Sequence, residues 1–129
     1  MGRVVRPIKN HAAQLAEILA DPQFSHIYFD ILWDDVAKYA VSSPEATRVT
    51  ADLLNRYPDR FLFGTDEVAP LSQEQYLRVY YQYEPLWNLL DVAAREKVCK
   101  RNYERIFDEA QVRACETAQA LGPPRNPWR

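Results

Sequence analysis

Apolar residues first recur at a helical period just after Asn10. Ala12, Leu15, Ala16, Ile18 and Leu19 form one face, with Gln14 and Glu17 off it. Asn10 can cap that helix through its side-chain oxygen, and Asp21-Pro22 stops it, because proline disfavours helical geometry in the residue before it. The pattern then changes to a nearly continuous apolar run, Ile27-Tyr28-Phe29-Asp30-Ile31-Leu32, rich in β-branched and aromatic residues. Such a run predicts a strand covered on both faces, as in a parallel α/β sheet. Trp33-Asp34-Asp35 follows, then a short helix to about Val41. Ser43 caps the next helix and Pro44 opens it without losing a hydrogen bond. Its predicted buried face is Ala46, Val49, Thr50, Leu53 and Leu54.

Tyr57-Pro58-Asp59 ends that helix, and Phe61-Leu62-Phe63 running into Gly64-Thr65-Asp66 predicts a second strand. Ser72 and Gln75 have capping-box spacing ahead of a helix with Tyr76, Val79, Tyr80 and Tyr83 on its apolar face. Pro85 kinks or ends it. Leu86, Leu89 and Leu90 carry an apolar face onward, and Asp91 opens a helix containing Val92, Ala93 and Val98. Asn102 begins the last helix, with Tyr103, Ile106, Phe107 and Ala110 expected to point inward. Gly122 suits a C-terminal cap, and Pro123-Pro124 prevent continuation. Arg125 to Arg129 are expected to form a disordered tail. The order is helix, strand, helix, strand, then three or four helices. Alternation of this kind predicts parallel βα units rather than hairpins. We therefore expect a helix-rich α/β body over residues 1–121 and a tail over 122–129.

Composition narrows the function classes. The chain has 129 residues, 47% of them hydrophobic and 26% charged, and a formal net charge of −2. That balance argues against a general nucleic-acid binder, which carries a basic face. Apolar runs are too short to span a bilayer, and the N-terminus has no signal-like apolar stretch. With three glycines, the chain carries no GxGxxG and no GxxxxGK[ST] phosphate loop. Two cysteines, Cys99 and Cys115, exclude a disulfide scaffold and fit a reduced, cytoplasmic setting.

The most informative polar residue is Asp66. It follows the second predicted strand directly, so it should lie at the carboxyl edge of a parallel sheet, where ligands collect. A carboxylate there can bind a metal or take a proton from water. Taken alone, an aspartate in this place more often caps the following loop. Trp33 and Asp34 should share the edge, Trp33 as a pocket wall or core cover and Asp34 as a helix cap. His11 and His26 have no HxH or HExxH context, and His26 precedes its strand, at the end opposite Asp66. Cys99 and Cys115 read as small core or surface residues, since nothing nearby would lower their pKa. The tyrosines between Gln75 and Tyr83 have the spacing of outer-layer packing. No GxSxG nucleophile elbow occurs.

Several segments together resemble one family. Arg56-Tyr57-Pro58-Asp59-Arg60-Phe61-Leu62-Phe63-Gly64-Thr65-Asp66 looks like the last-strand signature of the amidohydrolase-related (amidohydrolase type 2) family of the metal-dependent hydrolase superfamily. Upstream, Ile27 to Ala37 resembles that family's seventh strand and the segment after it. Downstream, Lys97 to Phe107, with its Asn102-Tyr103 start to the terminal helix, resembles the closing segment. The resemblance covers roughly Gly2 to Glu116. It implies the last two strands, with their helices, of a (β/α)8 TIM barrel. It implies hydrolysis or decarboxylation of a small carboxylic acid, lactone or amide, with a divalent metal, zinc above all. The family's last-strand aspartate corresponds to Asp66, which would bind the metal or deprotonate the attacking water. The family's first-strand HxH and its middle-strand lysine or histidines have no counterpart here. Met1-Gly2-Arg3 reads as the end of a preceding segment. Complete barrels take about 250 residues. The expectation is a C-terminal barrel segment, inactive alone, that meets a small-molecule substrate only in the complete enzyme. The alternative is a non-enzymatic module of the same fold that self-associates or docks on a complementary fragment, because two parallel strands leave unpaired edges.

Overall fold

Among the described residues two short strands run side by side in parallel, and most of the rest is helix. The structure, a computed structural model, describes residues 11–121. Helix α1 spans His11–Ala20, strand β1 Phe29–Leu32 and helix α2 Trp33–Ala40. Helix α3 spans Pro44–Arg56 and strand β2 Phe61–Gly64. Then come α4 (Gln73–Gln82), α5 (Glu84–Trp87), α6 (Val92–Glu96), a π-helical turn over Lys97–Arg101, and α7 (Asn102–Leu121). The expected caps Asn10 and Gly122, the N-terminal segment to Asn10 and the tail lie outside the described residues. No described helix is long and apolar enough to cross a membrane.

The strands pair in register from Phe29 opposite Phe61 to Leu32 opposite Gly64. Residues alternate between the faces of a sheet. One face therefore carries Phe29, Ile31, Phe61 and Phe63, and all four join the core. The other carries Asp30, Leu32, Leu62 and Gly64. Asp30 is exposed there, and Leu32 and Leu62 are half-buried and outside the core. The prediction of a strand covered on both faces is thus corrected: among the described residues the helical layer packs one face, and the other is only partly covered. β1 also begins at Phe29 rather than at Ile27.

The local signals explain most boundaries. Ser43 Oγ accepts from the Ala46 N–H at 3.1 Å, with Pro44 next in the chain. Ser72 Oγ accepts from the Gln75 N–H at 3.1 Å. Gln75 reaches back one residue further than a capping box requires, accepting from the Leu71 N–H and donating to Glu67. α4 ends at Gln82, and Pro85 lies in the first turn of α5, where its missing N–H costs no helical hydrogen bond. The buried face of α3 is rotated from the expected one. Thr47, Ala51 and Leu54 are buried, and Val49 is exposed. Thr47 tolerates burial because its hydroxyl donates to the Ser43 carbonyl at 2.8 Å.

The centre of the core is aromatic. Phe63 meets Tyr80, Tyr83 and Trp87 edge-on, with ring centres 5.1–5.7 Å apart. Tyr80 and Tyr83 also stack on Trp87. Of the tyrosines between Gln75 and Tyr83, Tyr80 and Tyr83 pack into the core, and Tyr76 and Tyr81 are exposed. α7 departs most from expectation. Tyr103, Phe107 and Ala110 point to solvent rather than inward, and only Ile106 is half-buried. Asn102, buried at the first turn, holds α7 to the body instead.

Candidate functional site

The two ends of the sheet differ in chemistry. Long-range polar clamps gather at the amino end. Arg60 donates from Nε to the Ile27 carbonyl at 2.6 Å, and from its guanidinium to the Phe24 carbonyl. Asn102 Nδ2 donates to the carbonyls of Pro58 (2.6 Å) and Phe61 (2.8 Å). Lys97 pairs with Asp59 at 2.9 Å. Arg60 of the last-strand signature therefore ties the segment before β1 to the start of β2, while Asp59 and the carbonyls of Pro58 and Phe61 tie the entrance of β2 to Lys97 and to Asn102 of the closing segment.

At the carboxyl end the backbone is strained. Among the described residues three non-glycine residues have positive φ, and all lie in the segments leaving the two strands: Trp33 (64°), Asp66 (49°) and Ala69 (51°). A left-handed conformation costs an L-residue about 1–2 kcal/mol, least for aspartate and asparagine. Trp33 pays that cost because β1 ends at Leu32 and α2 starts at the next residue, with no connecting loop. Its indole stays 49% exposed. Sequence reasoning placed Trp33 on this edge but had no signal for its conformation.

Tyr83 holds this turn. Its fully buried hydroxyl lies 2.8 Å from the Trp33 carbonyl and 3.2 Å from that of Leu32, and donates to them. Burial pushes the phenol well above the ordinary tyrosine range, and the Asp34 carboxylate adds to the effect. Asp34 is not the expected cap. It lies with Asp35 in the first turn of α2, where carboxylates suit the helix dipole, and both pair with Lys38. Replacing Tyr83 by phenylalanine should cost about 1 kcal/mol at neutral pH, the net worth of one hydrogen bond. The raised pKa makes this contribution complete below pH ~10, where an unfolded tyrosine ionises, and erodes it as pH rises further. Urea titrations of both proteins at pH 7 and pH 11 should therefore show the gap narrowing at the higher pH.

Asp66 lies on this edge, exposed, two residues beyond β2, while Thr65 before it is buried. Its side chain makes no hydrogen bond or ion pair among the described residues. His11 and His26 are both exposed, and His26 lies before the amino end of β1, away from Asp66. Cys99 is half-buried against the core, where burial pushes its thiol up, and Cys115 is exposed on α7. Among the described residues no three His, Cys, Asp or Glu side chains come together as a metal-holding group. A catalytic zinc normally takes about three protein ligands and a water. The donor set among the described residues does not fit a zinc site by itself.

Comparison with known proteins adds no relative: no family model, no curated protein and no solved structure matches the chain.

Proposed function

We propose that this chain is the C-terminal segment of an amidohydrolase-like (β/α)8 enzyme, a hydrolase or decarboxylase of small carboxylic acids, lactones or amides. In this reading it contributes the last two strands, and it is inactive until the other strands and their ligands are supplied. The observation that carries the proposal is the one-sided sheet. In a barrel, alternate side chains of each strand point to the outer ring of helices and to the interior. Phe29, Ile31, Phe61 and Phe63 meet helices, as the outer positions would. Asp30, Leu32, Leu62 and Gly64 would be the interior positions, filled in a complete barrel by the side chains of other strands.

The contrast between the sheet's ends supports the same reading. In such barrels the amino-terminal face serves stability and the carboxyl-terminal face carries the site. Here clamps lie at the first and strain at the second, and strained backbone concentrates at functional sites. Asp66 would be the site carboxylate, as metal ligand or as base toward water. Trp33 would form part of the rim.

Sequencing the coding region upstream of the Met1 codon tests the proposal. The expected result is a frame, joined or adjacent, that encodes HxH and the remaining βα units. Co-expression of that segment should give a metal-dependent hydrolase or decarboxylase activity that Asp66→Asn removes. The reading fails if no such segment lies nearby, or if the chain alone binds one zinc per molecule through Asp66.

A further inference from the structure

Each strained strand exit is held by a side chain of one helix. Tyr83, the residue just past α4, holds the carbonyls of Leu32 and Trp33 where β1 ends. Gln75, in the first turn of α4, holds the segment that leaves β2. Its Oε1 accepts from the Leu71 N–H at 3.1 Å, and its Nε2 donates to Glu67 Oε1 at 2.8 Å. Gln75, Val79 and Tyr83 recur every fourth residue and so share a face of α4. Val79, between the other two, is buried in the core and seats the helix from which both side chains reach.

Little else holds the exit of β2. Among the described residues, every hydrogen bond made by residues 66–71 goes to Gln75, and none runs from backbone to backbone. Apolar burial does not hold it either. Val68 is 85% exposed and Leu71 95%, while the charged Glu67 is half-buried. That inverts the usual order, in which valine and leucine go in and glutamate stays out. Asp66 and Ala69 nonetheless keep positive φ, a conformation that persists only where the surroundings fix it. Asp66 lies between the buried Thr65 and the gripped Glu67. We propose that Gln75 is the positioning residue of Asp66: by gripping Glu67 and Leu71 it fixes the left-handed turn that sets the Asp66 carboxylate on the carboxyl edge. One face of α4 thus positions both residues assigned to that edge, Trp33 through Tyr83 and Asp66 through Gln75. The geometric part stands by itself, and its consequence for chemistry rests on the reading of Asp66 as the site carboxylate.

A charge swap tests this. Gln75→Glu removes the donor and sets two carboxylates against each other. In the double variant Glu67→Gln/Gln75→Glu the carboxamide sits at position 67 and donates to the carboxylate at 75, whose other oxygen still accepts from the Leu71 N–H. Nuclear magnetic resonance of the full chain reads the outcome through two signals: the amide-to-α-proton coupling of Asp66, which follows φ, and the shift of the Leu71 amide proton. Both should move in Gln75→Glu and return in the double variant, with the circular dichroism of the body unchanged throughout. Glu67→Gln alone should leave both in place, because its amide oxygen still accepts from Gln75. The inference is overturned if the Asp66 coupling ignores Gln75→Glu, or if the double variant fails to restore it. In the complete enzyme of the proposed reading, Gln75→Glu should lower kcat by about tenfold or more with KM little changed, and the double variant should recover it. An activity indifferent to Gln75→Glu while the Asp66 coupling moves would overturn the role given to Asp66 and uphold the clasp.

Discussion

Trp87→Ala is expected to lower the unfolding free energy by about 3–5 kcal/mol, the range for emptying a large aromatic site in a core. Trp87 is 2% exposed and its ring touches three other aromatic residues: Phe63 from β2, and Tyr80 and Tyr83 from around the end of α4. Its indole N–H also donates to the Tyr80 carbonyl at 3.0 Å. Truncation therefore removes the contact between sheet and helices and one of the donors to the Tyr80 carbonyl, which keeps the Tyr83 N–H at 3.2 Å. Domains of this size have about 5–15 kcal/mol in total. The urea midpoint should fall by about a fifth or more with little change in slope. Trp87→Phe keeps a ring in the site, so it should cost less than half as much. A loss below about 1 kcal/mol in Trp87→Ala would mean that the aromatic cluster is not the centre of this fold.

Much of that cluster could be read from the chain. Phe61-Leu62-Phe63 marks a strand by composition, and the spacing of Val79, Tyr80 and Tyr83 marks a helix face. Where the reading erred, the physics of periodicity explains it. A repeat of 3.6 residues shows that a helix has an apolar side but not what that side meets. On α3, the small residues Thr47 and Ala51 take the interior because they let the helix approach closely, and Val49 is turned out. On α7, the same repeat marked Tyr103 and Phe107 as inward, whereas the contact that anchors the helix is polar. One-sided coverage of the sheet was hidden for a related reason. Asp30 was the sole polar residue in an otherwise apolar run, and a single interruption does not separate a bare face from a buried one.

The candidate site was legible in position and not in conformation. A residue that follows a predicted strand can be assigned to the carboxyl edge, and both Trp33 and Asp66 are found there. Their left-handed backbones follow from how abruptly each strand ends, which depends on the tertiary course of the chain. An aspartate enters that region at modest cost and a tryptophan does not, so the tether from Tyr83, fifty residues away in sequence, is needed at Trp33. No local pattern encodes that pairing.

Asn102 yields the second large effect. It is 1% exposed, and its single amide nitrogen supplies both of its protons to carbonyls at the entrance of β2. Sequence position identified it as the start of α7, where asparagine commonly caps. Here it serves a different strand instead. Asn102→Ala leaves two carbonyls without these donors, each costing about 1–3 kcal/mol, so a loss of about 2–6 kcal/mol is expected. Asn102→Asp has nearly the same shape but reversed chemistry. An ionised carboxylate donates nothing and would face two carbonyl oxygens. Folding should therefore favour its protonated form and raise its pKa above the unfolded value. The sign follows: the aspartate variant is least destabilised at acid pH and loses stability as pH rises through the folded pKa. Urea titrations at pH 4.5 and pH 7.5, each referenced to the parent protein, should show Asn102→Asp worse at the higher pH and Asn102→Ala equally impaired at both. Equal losses for the two variants at both pH values would show that the carboxamide fills space rather than donating protons. In that case the entrance to β2, and with it the position of Asp66 four residues beyond Leu62, would be held by packing, Arg60 and the Lys97–Asp59 pair.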